Sequence, residues 1–526
     1  MQAHLLQNDI RIKGLERKVK DVTAERDDFK KRYFRSLDRI REQDKQIEVL
    51  KLKLDSAEKQ LASFRREKFG QSTETDAPKD PAPINNPAIG KRKRGQQPGS
   101  KGHGRTKRTN IDEEERVLDV KDSACASCHK PFKLLPETDD STITEIEILL
   151  FQLKYRRCRY ARQCNCVGAK IITAPAPPRL YPKTTIGNSL WVHLCVQKFL
   201  HGTPTNRTLK DLALRELGLA AGTVTGGFKI INNLLEPLYE AIKTFCQGEH
   251  YWNADETHWR VLDDKKKWWL WVIAGRKAIA YILDESRSRR VPEEFFAGSI
   301  GILMTDRYSA YKSLPASIKK AWCWVHVRRD FLKLFRGLSK FRKWAKKWLL
   351  DITKLFVLNH LRFKSWSENQ FSPALDGATK AVQDHVEHIR NNWDTQLSGH
   401  LHPLQRTAVL SLKRHWAGLT VFLEDPRIPL DNNRAERLLR NCVINRKNSY
   451  GNSVEWAGHL SAKFFSVFQT WLANGLDPQA LLLDYFNECS LNPGKPPPSI
   501  DKFLPWKMDE QRTLEFRLPA SYKRPA

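Results

Sequence analysis

HYWNADETHWRVL, residues 250–262, decides how this chain is to be read. Upstream of it apolar residues recur at helical spacing, as in LWVHLCVQKFL (190–200) and FKIINNLLEPLYEAI (228–242). From His250 the period falls to two, the mark of an extended strand. Two apolar, aromatic-rich runs follow, KWWLWVIAG (267–275) and KAIAYIL (277–283). Joined through residues 275–277, they predict a β-hairpin. SIGILMTD (299–306) reads as a further strand ending on Asp306, before RYSAYK. An α/β domain is expected, with Asp255 in or at the end of its first strand and Asp306 at the end of a later one. Strand-end carboxylates sit where open α/β sheets hold their sites.

A third carboxylate stands in LDNNRAERLLR (430–440), among three arginines. This stretch predicts a helix whose start Asp431 or Asn432 can cap. Ala435, Leu438, Leu439 and Cys442 form its buried stripe, and Asn433, Glu436, Arg437 and Arg440 fall on the other side. A solvated helix face with ordinary ion pairs is one reading of Glu436. The other sets it across a cleft from the two aspartates, with the arginines on phosphates. Three carboxylates suffice to hold two Mg²⁺ (or Mn²⁺) ions. One such ion activates an attacking oxygen and the other stabilises a leaving oxygen in an in-line phosphoryl displacement.

Composition favours a polyanionic partner. The 526 residues carry a formal net charge of +30, and neutralised phosphates give strong, salt-sensitive binding. Nucleic acid is the first choice and an anionic membrane the second, although no segment is apolar enough to span a bilayer. The N-terminus lacks an apolar signal core, so a cytoplasmic protein is expected. With 40% hydrophobic residues, 16 Trp and 24 Phe, several cores can form.

Residues 1–68 repeat with period seven, Leu5, Ile12, Val19, Arg26, Tyr33, Ile40, Ile47, Leu54 and Leu61 at one position, Leu15, Val22, Phe29, Leu50, Ala57 and Phe64 at the other, with polar Arg26, Ser36 and Gln43 interrupting the seam. That predicts a dimerising coiled coil, with a helix inside a larger domain as the alternative. Residues 69–110 read as a basic flexible linker containing KRKRGQQPGSKGHGR (91–105). It is either a solvated tether or an arm whose Lys91, Arg92, Lys93, Arg94, Lys101 and Arg105 contact DNA. In 111–180, CASC and CRYARQCNC suggest a zinc ribbon held by Cys125, Cys128, Cys164 and Cys166. The second pair is tighter than the usual C-x-x-C, and Cys158 or His129 could substitute. Cys195, Cys246, Cys442 and Cys489 are isolated and read as apolar fillers. TAPAPPRLYPK (173–183) reads as a proline-stiffened connector.

The ordered set of motifs resembles an insertion sequence 66 family transposase of the DDE class over nearly the whole length. The matching stretches are REKFGQSTE, GQQPGSKGHGR, the cysteine knuckles, APAPPRL, ADETHWRVL, TDRYSAY, CWVHVRRDF, DNNRAERLLR, INRKNSYGNS and NGLDPQALL. The resemblance implies an RNase H-like catalytic domain with Asp255, Asp306 and Glu436 as its metal-binding triad. The domain would span 250–480, interrupted by a helical insertion at about 319–425. A helical DNA-binding segment (181–249) would precede it and a tail (481–526) follow. Between residues 319 and 347 eleven Lys and Arg face the single acid Asp330, with Trp and Phe interleaved. Cys323 and His326 form a C-x-x-H pair there, read as core packing in preference to metal binding.

The function implied is cleavage of DNA at the element's terminal inverted repeats and transfer of the freed 3′-OH into target DNA. Arg437, Arg440, Arg446 and Lys447 would contact phosphates. The partners implied are end and target DNA, a second or further copy of the chain, accessory transposition proteins, and no membrane, in the bacterial nucleoid. A catalytically decayed DNA-binding protein and another RNase H-like nuclease are the rival readings.

Overall fold

The computed structural model describes residues 148–519 apart from 165, 265 and 338, with isolated positions at 14, 20, 23, 115, 117, 118, 127–131, 143, 144, 146 and 522. The expected basic arm (91–105), Cys125 and the expected coiled coil lie outside the described residues, except that Gly14, Lys20 and Thr23 are helical. Residues 1–141 and 142–526 form separate compact units, and the fold described next belongs to the second.

That unit opens with a two-stranded antiparallel ribbon, β1 (Arg159–Ala161) and β2 (Ile171–Thr173). A helical layer follows: α1 (Asn188–Cys195), which continues as one π-helical turn over Val196–Leu200, α2 (Thr205–Leu214), α3 (Ala221–Leu234) and α4 (Glu236–Gln247). The central sheet contains β3 (Tyr251–Trp259), β4 (Trp268–Ala274) and β5 (Ile279–Asp284). After α5 (Arg290–Phe295) it is completed by β6 (Gly301–Thr305) and β7 (Ile318–Trp322). The strand order is β5-β4-β3-β6-β7. The first three strands form an antiparallel meander, and β6 and β7 run parallel to β3. The expected hairpin is therefore present as β4 and β5. Six of the seven residues of β4 are buried, because both its faces are covered. A strand covered on both faces reads as a continuous apolar run instead of an alternation.

Beyond β7 the chain leaves the sheet through α6 (Trp324–Gly337), α7 (Arg342–Glu368), α8 (Pro373–Ser398), α9 (Pro403–Arg414) and α10 (Trp416–Leu419). The helical insertion thus starts after residue 322, since residues 319–322, read as its beginning, form the outermost strand. Alternation in that strand is hidden by two consecutive lysines, Lys319 and Lys320. Inside the insertion, Phe331 stacks on Trp348 with centroids 5.0 Å apart, and Trp393 meets Trp416 edge-on at 4.4 Å.

The chain returns through α11 (Asn433–Ser449), α12 (Glu455–Ala473) and α13 (Pro478–Leu491), and ends in α14 (Glu510–Glu515). Residues read as a tail supply buried Leu481, Leu482, Tyr485, Phe486 and Cys489 through α13. Both edges of the sheet are covered. On β5, the backbone N–H groups of Ile279 and Tyr281 donate to Thr470 Oγ1 (3.0 Å) and Ser466 Oγ (2.8 Å) on α12. One helical turn and two strand residues each span about 6 Å, so the hydroxyls match the edge. Along β7 lies α10, so close that a Cβ on Gly418 would fall 2.3 Å from the Trp322 indole. Cys195, Cys246, Cys442 and Cys489 are all buried, as fillers should be.

Candidate active site

Alternate residues of β3 point to the same face of the sheet. Three of them, Asn253, Asp255 and Thr257, face α11. At its start, the fully buried Asn432 donates from its carboxamide to Ala254 O (2.8 Å) and accepts from Asn253 Nδ2 (3.0 Å). Further along, Arg446 Nη1 donates to Thr257 Oγ1 (3.3 Å). Between these two anchors, Glu436 and Asp255 come within electrostatic reach of each other. Of the two residues expected to cap the helix, Asn432 holds the cap position without a side-chain cap bond, and Asp431, one residue earlier, accepts from Asn433 N–H at 3.0 Å. Asn432 serves instead as the staple to the sheet.

Asp306 follows β6 directly. The parallel register places Asn253 opposite Met304, and two residues further along brings Asp255 beside Asp306. Asp306 Oδ1 accepts from Tyr308 N–H at 2.9 Å, which fixes the turn out of the strand. Its neighbour Arg307 donates to Asp330 Oδ2 (2.6 Å) and Ser411 Oγ (2.8 Å), tying the strand end to α6 and α9. Burial, followed by the charges of Glu256, Asp306 and Glu436, pushes the Asp255 carboxyl up from 3.8 to about 8. Among the described residues no three His, Cys, Asp or Glu side chains are gathered as a metal site. The donor set still fits a divalent cation of the Mg²⁺ type. It is all carboxylate, and its most buried member lacks the positive charge that would keep it ionised.

The other face of β3 is arranged differently. Glu256, whose side chain is 1% exposed, accepts two hydrogen bonds from Arg287 (2.9 and 2.7 Å) and one from Tyr311 Oη (2.7 Å). The Arg287 guanidinium lies between the rings of Trp269 and Tyr308, 4.6 and 4.1 Å from their centroids. Tyr308 Oη also donates to Arg287 O at 2.8 Å. This cluster thus ties the residue beside Asp255 to the turn that holds Asp306.

The C-x-x-H pair divides its roles. Cys323 is packed in the core, as expected, and its sulfur accepts the Asn432 N–H at 3.3 Å. Trp324 N–H donates to Leu430 O at 2.8 Å, so the first residues of α6 are stitched to the segment entering α11. His326 is not simply core packing: its Nε2 lies 3.9 Å from Glu436 Oε1. Burial, then Arg329, holds its pKa below the ordinary value, so the imidazole is neutral at pH 7. Its Nδ1 is buried without a hydrogen-bond partner.

The remaining predicted residues are dispersed. Arg437, Arg440 and Lys447 are exposed on α11, and Arg446 is half-buried against β3. Cys128, Cys158, Cys164 and Cys166 are exposed thiols; Cys158 precedes β1 and the other close pair lies in the loop between β1 and β2. Hydrogen bonds from the Cys166 backbone and side chain lower the Cys164 pKa. Sequence reasoning missed the clamp of Arg287 and Tyr311 on Glu256, the Asn432 staple and the place of His326. Only the last had a signal, the C-x-x-H spacing.

No described helix is long and apolar enough to cross a membrane. Among known proteins, two from Sinorhizobium fredii, each described as uncharacterized, are similar to this chain. Protein y4jD is 25% identical over 414 residues, covering 74% of this chain and 79% of its own length. Protein y4hP is 23% identical over 437 residues, covering 78% and 77%. The family profile described as transposase IS66 family matches residues 183–460, more than half of the sequence. The match takes in β3, β6 and α11 together with all three carboxylates, and the chain belongs to the IS66 family of transposases.

Proposed function

We propose that the chain is a DDE transposase that binds the inverted repeats at the ends of its own element, cuts there and joins the freed ends to target DNA. The observation that carries this reading is the geometry: the buried Asp255 on β3 stands beside the strand-end Asp306 and within electrostatic reach of Glu436 on α11, in a chain of net charge +30. Such a site calls for added positive charge, and its surroundings suit a polyanion. The order of a three-strand meander followed by two parallel strands, with the third carboxylate on a later helix, supports an RNase H-like domain.

In the first reaction a water oxygen bonds to a phosphorus at the element end. The 3′ oxygen leaves and takes up a proton. In the second, that 3′ hydroxyl oxygen bonds to a target phosphorus, displaces the target's 3′ oxygen and loses its proton. Mg²⁺ or Mn²⁺ held by Asp255, Asp306 and Glu436 would activate the attacking oxygen and stabilise the leaving one. The protein orients these groups: Asn432 fixes the start of α11 on β3, and Tyr308 N–H fixes Asp306. Neutral His326 lines the approach to Glu436 without adding charge. Arg437, Arg440, Arg446 and Lys447 would hold phosphates beside the cut, and the 91–105 arm would hold the repeat.

A structural zinc on the cysteine pairs and assembly through residues 1–68 complete this reading, as do accessory transposition proteins and a nucleoid location. The test uses DNA carrying the gene's own flanking sequences. The wild-type chain should cut it only with Mg²⁺ or Mn²⁺. Asp255→Ala should lose about 10³-fold or more in rate, since such metals supply several kcal/mol of stabilisation, while end binding persists. Equal cutting by the variant would remove Asp255 from the chemistry. Binding without any cutting by the wild type would favour a decayed DNA-binding protein.

A further inference from the structure

We infer that the exposed face of α6 is a track for the DNA phosphodiester backbone, made by Arg329, Lys333 and Arg336 and starting at the catalytic carboxylates. The inference rests on the DNA-transposing reading and adds a binding surface to it. At 100° per residue, His326, Arg329, Lys333 and Arg336 share a sector of roughly 80° on α6. Trp324, Val327 and Phe331 occupy the buried side. The stripe begins where His326 meets Glu436 at 3.9 Å. From there the cations advance along the axis in steps of about 4.5 to 6 Å, to about 15 Å from the start.

A solvated basic face would normally carry acids three or four residues away. This molecule does so elsewhere: Arg215 pairs with Asp211, Lys243 with Glu240, Arg290 with Glu294 and Lys364 with Glu368. On α6 the only acid, Asp330, is held by Arg307 at 2.6 Å. Among the described residues Arg329, Lys333 and Arg336 form no ion pair. Burial, then the like charge of Arg336, lowers the pKa of Arg328, which neighbours the stripe. A second exposed cationic row, Arg437, Arg440 and Lys447, leaves the same point on α11. It lies over β3 and β4, whereas α6 packs on α7 and α9. The two rows therefore sit on helices packed against different parts of the fold.

The experiment measures affinity of the full chain for duplex DNA of the gene's own flanks across a salt series. Each lost phosphate contact reduces the slope of log K against log salt by about 0.9, so Lys333→Ala/Arg336→Ala should reduce it by about 1.8. Lys333→Arg/Arg336→Lys, which keeps the charge, should restore the slope. Lys380→Ala/Lys495→Ala, at exposed positions away from the site, should leave it unchanged. An unaltered slope in the first variant, or an equal loss in the Lys380/Lys495 pair, would overturn the track while leaving the transposase reading intact. If the wild type shows no salt-dependent binding at all, the DNA reading fails and the track fails with it.

Discussion

Asp255 and Glu256 are neighbours on one strand, yet the two faces of β3 treat their charges in opposite ways. Glu256 is buried among partners: a forked guanidinium, itself sandwiched by two rings, and a phenol. Burial and, to a lesser degree, the charge of Asp306 push its pKa up, and Tyr311 and Arg287 counter part of that push. Asp255 is buried beside other carboxylates, and among the described residues its one hydrogen bond is accepted from the N–H of Glu256 at 2.9 Å. A structural carboxylate is neutralised from within the chain. On the proposed reading, Asp255 would be a carboxylate kept for an external cation, costly until that cation arrives.

The contrast can be broken most severely at Glu256. Glu256→Ala should destabilise the fold by about 2–3 kcal/mol in urea unfolding, because it strands Tyr311 and Arg287. That figure sits below the usual range for buried pairs because Arg287 is 40% exposed. Asp255→Asn should act in the opposite direction. The folded pKa of Asp255 is raised, so its protonated form stabilises the fold at about pH 4, and this contribution is lost as pH rises toward about 8. Without divalent metal, the Asn variant should melt about 3 °C higher than wild type at pH 8, and the gap should close near pH 4. Added Mn²⁺ should raise the melting temperature of the wild type and not that of the variant. A variant melting below wild type at pH 8 would place Asp255 with Glu256 as a structural residue. Tyr311→Phe should cost least, about 1 kcal/mol for one hydrogen bond, read by the same urea unfolding.

Legibility in the sequence followed the range of the interactions. The hairpin was readable because its aromatic runs are contiguous and its turn is local. Asp306 was placed correctly at a strand end, since the SIGILMTD run stops there. β7 was misread because Lys319 and Lys320 hide a strand whose pairing depends on β6, not on its own pattern. At the site, Asp431 and Asn432 were interchangeable as caps; only the distant backbone of Ala254 separates them. The Glu256 clamp joins residues 256, 287 and 311 through loops, and such pairing has no periodic signature. His326 carried a spacing signal, but its contact with Glu436 arises from the stitch between two helix starts far apart in sequence.

The hydroxyls of Ser466 and Thr470 on one edge of the sheet, and α10 on the other, bear on behaviour in a crowd. If the chain works on DNA as proposed, it would be concentrated along it, copy beside copy, and a bare strand edge would invite those copies to polymerise. With both edges closed, the sheet offers no template for a neighbour's backbone. Under the proposed function, copies meeting on the same DNA would have to recognise one another through other surfaces, so the number gathered at an element end would be set apart from the folding of the sheet.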